Sequence, residues 1–133
     1  MKLNTLMLDD MVLLWHQRFN AWIPITVTID ILKSVKEDEI KPIDLTPEML
    51  ENNDFTKRDA IPGIISWKEW VSSDGRVILC NKQDFINSDN TWAIHIDNED
   101  METIGAAELS FLHQLQHILK HYEIEHKEFI VQL

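Results

Sequence analysis

His113, His117 and His121 recur at every fourth position of residues 110–122, SFLHQLQHILKHY. On a helix they stack along one line. Two imidazoles at i and i+4 reach a common point and can chelate a divalent ion. The outer two would stand about 12 Å apart along the axis, so the line offers only adjacent pairs of ligands. Gln114 occupies the place where an HExxH motif needs its general-base glutamate. Gln114, Gln116 and Lys120 share the polar side with the histidines, opposite an apolar arc of Phe111, Leu112, Leu115, Ile118, Leu119 and Tyr122. The line therefore reads as a solvated polar face. No metal site is assigned, and His113, His117 and His121 are kept as the candidates should one exist.

Other chemistry is thinner. Cys80 with His95 is a nucleophile and base without a motif around them, and such pairs are recognised by geometry alone. With three glycines and neither GxxxxGK[ST] nor GxGxxG, a phosphate-cradling loop is not expected. The acidic runs Asp9-Asp10, Glu37-Asp38-Glu39 and Asp97 to Asp100 fall in turns or near a chain end, where carboxylates are usually solvated. The expectation is a protein that is not an enzyme and has no cofactor.

Composition narrows the class. A chain of 133 residues with 44% hydrophobic and 26% charged content can bury a real core. Its 23 acidic against 12 basic residues leave a net charge of −11, which disfavours binding a nucleic-acid backbone and favours basic protein partners. Glu37, Asp38, Glu39, Asp97, Glu99 and Asp100 are the candidate interaction residues. Trp70 joins them: it stands three residues from Trp67 in a predicted strand, so one indole faces the core and the other an interface. The single cysteine permits no internal disulfide and suits a reducing compartment. The first ten residues lack a signal-peptide core and no run of about 18 apolar residues exists, so a cytoplasmic protein is expected.

The elements that would hold these residues are legible in part. Residues 11–15 read as a buried strand and 22–32 as an alternating one, with Pro24 marking an edge. Residues 40–43 add a short third strand, making a small N-terminal meander. Thr46-Pro47-Glu48 starts a short helix. Residues 67–72 and 76–81 form a hairpin about Asp74-Gly75, residues 87–90 a turn, 92–97 a half-buried strand, and 101–109 a strand pairing back to it. The main helix follows, capped by Ser110, and 128–133 closes the chain as a last strand. The expected fold is α+β, antiparallel sheet with one main C-terminal helix packed on it. It is read as a single domain, 1–133, with sub-modules 1–45 and 46–133.

Two stretches carry a resemblance. Residues 40–55, IKPIDLTPEMLENNDF, resemble an I-x-PIPLT-x-E-x-L-x-x-x-GF element. Residues 112–119, LHQLQHIL, resemble a VHxLQNLYFAL element that follows a W-x-V-x-I strand, here residues 92–96. The combination is similar to small proteins of unknown function encoded on phages and mobile elements of Bacteroidetes. Asp54 replaces the glycine of the GF pair, and His117 stands where the motif has asparagine. His113 and Gln116 match it, as residues that seat the helix on the sheet. The resemblance implies an anti-defence protein in general character, of anti-CRISPR type. Its partner would be a basic, nucleic-acid-dependent effector such as an RNA-guided nuclease. The alternatives are an accessory or structural protein of such an element acting by self-association, and a histidine-based metal-binding protein. A monomer or a homodimer is compatible with each.

Overall fold

The computed structural model describes residues 1–81 and 91–132, with residues 64–67 described through their backbone. The fold is α+β, with two antiparallel sheets of three and five strands. The chain divides into two compact units: Met1–Asp44 joined by Phe111–Val131, and a second built on Leu45–Ser110. The C-terminal helix thus belongs with residues 1–44, whereas the sequence grouped it with residues 46–133.

In the first unit, strand β1 (Met11–His16) pairs with β2 (Ala21–Thr26) and β3 (Ile40–Lys41), in the order β2-β1-β3. Pro24 does sit on an edge strand, where the missing amide costs no ladder bond. Trp15 lies opposite Trp22, ring centroids 5.5 Å apart edge to face, and the Lys41 amine stands 4.5 Å over the Trp22 ring. The expected strand over 22–32 stops at Thr26. The Thr28 hydroxyl accepts the Ile31 amide at 3.3 Å and caps a short helix α1 (Ile29–Ser34). Asp30 meets the positive end of that helix and Lys33 the negative end. Helical spacing then brings Ile31, Leu32 and Val35 against a core of Leu6, Val12, Val27 and Ile40.

The second unit opens with α2 (Pro47–Asn52), capped as expected by Thr46, whose hydroxyl accepts the Met49 amide at 3.2 Å. A five-stranded meander follows: β4 (Thr56–Ile61), β5 (Ile64–Val71), β6 (Val77–Asn81), β7 (Trp92–Asp97) and β8 (Thr103–Leu109), in sequence order. The register Trp70↔Leu79↔Ile94 places one apolar row across three strands. Trp92 is fully buried, its indole N–H donating to the Leu45 carbonyl at 3.2 Å. Gly75, at φ +78°, makes the tight β5–β6 turn, and Gly63, at φ +88°, the β4–β5 turn. Beside Gly75 the Asp74 carboxyl is held below its ordinary range: burial pushes it up, but the Ser72 hydroxyl and the Arg76 amide and charge outweigh that. Strand β4 has no counterpart in the sequence reading, because Lys57, Arg58 and Asp59 mask its pattern. Their charges are answered on β5, Arg58 by Glu69 at 2.6 Å and Asp59 by Lys68. The expected turn at 87–90 and the Trp67 side chain lie outside what the structure describes.

Helix α3 runs over Leu112–His121. Ser110 does not cap it. Its carbonyl is taken by the Leu45 amide at 3.1 Å, and Phe111, extended, is the cap residue. The Phe111 amide is satisfied instead by the Gln114 side-chain oxygen at 3.0 Å. At the other end Glu123, at φ +55°, lets the Ile124 amide return to the Leu119 carbonyl at 2.9 Å. The expected strand over 128–133 is not formed: among the described residues this tail has no regular structure. Phe129 is buried and stacks on His126 at 4.2 Å, so its apolar group is satisfied without a ladder. No helix of the described residues is long and apolar enough to cross a membrane.

Candidate functional site

The apolar arc of α3 is buried as its spacing demands, with Leu112, Leu115 and Leu119 nearly inaccessible. The opposite side is not the solvated face the sequence suggested. His113, Gln116, His117 and Lys120, spaced i, i+3, i+4, i+7, share one face. Three of them bond to the four consecutive residues Leu8 to Met11 that lead into β1.

The Lys120 amine donates to the Leu8 carbonyl at 2.9 Å. Gln116 donates through Nε2 to the Asp9 carbonyl at 3.2 Å and accepts the Met11 amide at Oε1, 2.8 Å. His117 Nε2 contacts both Asp10 carboxylate oxygens, at 2.9 and 2.7 Å. A carboxylate only accepts, so this nitrogen carries the proton. Asp10 itself is 0% exposed and also accepts the Met7 amide at 2.8 Å. Asp9, at φ +72°, turns the chain so that these groups face the helix.

His113 completes the row differently. It is only 5% exposed, stacks on Phe111 at 5.9 Å and meets the His117 ring edge to face at 5.7 Å. Its Nδ1 has no hydrogen-bond partner among the described residues. Burial pushes its pKa below the ordinary 6.5; the Asp10 charge opposes that and His117 reinforces it. Of the three helix histidines only His121 is exposed, edge-on to Tyr122 at 4.8 Å.

Chemically the row ties the helix down. His117 Nε2 is committed to Asp10, and no group of three metal-capable side chains occurs among the described residues. A cleft of about 390 Å³ adjoins the row, with Met11, Leu119, Ile124 and Phe129 as its apolar lining and Gln116 and Lys120 among its polar groups. Both of those polar groups already hold backbone.

The remaining sequence candidates scatter. Glu37 and Asp38 are exposed on a single 3-10 turn, Glu37–Glu39, while Glu39 is half-buried and accepts the Lys36 amide at 2.9 Å. Glu99 and Asp100 are exposed in the β7–β8 turn. Two candidates are corrected. Trp70 is 3% exposed and packs edge to face on Trp92 at 5.2 Å, so it is core and not an interface. Asp97 is buried at the end of β7, accepting the Thr103 hydroxyl at 3.0 Å, because a strand-end carboxylate here has a local donor to satisfy it. Cys80 lies across from Ala93, and His95 across from Ile78, on neighbouring strands.

Sequence reasoning placed Asp10 in a solvated acidic run and Lys120 on a solvated helix face, and gave neither a partner. The available signal was the 113, 116, 117, 120 spacing of long polar side chains, which fits a docking seam as well as a wet face. Comparison with protein-family models, curated proteins and solved structures returned no match to this chain.

Proposed function

We propose that this chain is a non-enzymatic, acidic interaction protein that docks on a protein partner with a basic surface. The observation that carries this is the net charge of −11, presented in part by carboxylates at exposed turns. Glu37 and Asp38 sit on a turn closed by the Glu39 side chain, and Glu99 and Asp100 on one closed by the Asn98 side chain, which accepts the Asp100 and Glu102 amides at 2.9 Å. Charges presented from closed turns lose little freedom on binding. On α3, Gln116, Lys120 and the His117 Nε2–H are engaged in holding the helix, which supports reading that stripe as structural.

The resemblance of residues 40–55 and 112–119 to proteins of phages and mobile elements supports a bacterial defence effector as the partner, with an RNA-guided nuclease the first to test. The acidic turns would occupy or flank a channel built for nucleic acid. Binding of the purified chain to such a nuclease is expected to weaken steeply as salt rises. The quadruple variant E37K/D38K/E99K/D100K should weaken it at least tenfold while leaving the folded state intact by circular dichroism. Affinity indifferent to both salt and these four reversals counts against the reading.

One observation favours self-association instead. Phe19 at 66% and Met101 at 61% are the most exposed large hydrophobic residues among those described. A mass that rises with concentration, and falls back in Phe19→Ser or Met101→Ser, would move the assignment to an accessory protein.

A further inference from the structure

We propose that the seam joining α3 to residues 8–11 is an acid-sensitive latch, holding the helix while His113 is neutral and releasing it as that imidazole takes up a proton. The geometry carries the argument. A neutral imidazole needs one donor and one acceptor satisfied, whereas the charged ring presents two N–H donors. His113 Nδ1 is buried with no acceptor within reach among the described residues. The nearest carboxylate, Asp10, already takes the Met7 amide and the His117 Nε2–H. A proton added to the docked ring therefore buries an N–H without an acceptor, together with a charge that Asp10 offsets only in part. On the released helix the same ring would be hydrated at no cost.

The ionisable groups acting on His113 are Asp10, from the segment leading into β1, and His117, from its own helix. Burial and His117 disfavour the charged ring and Asp10 favours it; the balance lowers the pKa. A lowered histidine pKa means that the released state binds the proton more readily. Docking is then at full strength above about pH 6.5 and weakens as the pH falls below it, until the docked ring itself titrates. One proton taken up on release shifts the docking equilibrium by at most about tenfold per pH unit within that window. The Gln116 and Lys120 bonds to Asp9 and Leu8 set the strength that protonation of His113 must overcome.

The test is amide hydrogen exchange of the full chain from pH 7.5 to about 5, corrected for intrinsic rates. Protection of α3 is expected to fall below pH 6.5 while peptides from β6 and β7 keep theirs. His113→Phe, which still stacks but cannot titrate, should abolish the fall, and His121→Gln should not. Unchanged α3 protection in the wild type, or a fall that persists in His113→Phe, overturns the latch. Should His113→Phe not fold, the wild-type ring resonance decides: a His113 titration at or above 6.5 overturns it equally.

Discussion

Asp10 is the residue on which the most polar structure converges. Its carboxylate is inaccessible, and it satisfies the Met7 amide and the His117 ring at once. Asp10→Ala takes the charged acceptor from both donors, and the loss of two hydrogen bonds to a carboxylate, with a cavity at an inaccessible site, sets the magnitude. The expected loss is about 2–4 kcal/mol in urea unfolding, against less than about 0.5 for the exposed His121→Ala. Gln116→Ala falls between them, since one buried amide loses its acceptor. The same contacts commit Asp10, Gln116 and the His117 Nε2–H to holding the helix.

At the scale of elements, two caps and one turn set boundaries that packing alone would leave loose. Thr28 ends β2 and starts α1, and Thr46 starts α2. Removing either hydroxyl by Thr→Ala should cost about 1 kcal/mol. Gly75→Ala, which finds open space but the wrong side of φ, should cost a similar amount, about 1 kcal/mol, through backbone strain in the β5–β6 turn. Equilibrium unfolding of the three variants reads all of these. A Thr28 variant as stable as wild type would mean that the core contacts of Ile31, Leu32 and Val35 set the break after Thr26 without the cap. The edge strands differ in protection: β4 carries Lys57, Arg58 and Asp59, whereas β8 offers Ile104 and Ala106 with a bulge between Ile96 and Asp97 on its partner. Charge on one and irregular register on the other both discourage stacking of sheets edge to edge.

For the whole chain the dominant quantity is charge. At −11 the protein repels copies of itself and is drawn to cations over a distance set by ionic strength. If the partner is basic, salt and the four charge reversals should act mainly on the association rate, with dissociation changing little, because exposed turns steer encounters more than they hold complexes. Stopped-flow or surface-based kinetics would separate the two. An effect confined to dissociation would place the acidic turns inside the contact and not around it.

Several features were legible in the residues alone because their causes are local. Thr46-Pro47 starts a helix wherever it stands, Asp74-Gly75 turns a hairpin, and the alternation of Trp92, Ile94 and Ile96 defines a strand with one buried face. The apolar arc of α3 and the net charge belong to the same class. What covers the opposite side of α3 is not local. His117 meets Asp10 across 107 residues of chain, and a periodic pattern reports which side chains differ in polarity, not whether water or a backbone carbonyl will meet the polar ones. Tertiary structure alone decided that this stripe is a seam, that Asp10 and Asp97 are buried, that Trp70 is core, and that residues 128–132 make no strand. In each case a distant or neighbouring donor, acceptor or apolar surface was supplied by the fold, and burial followed from that supply.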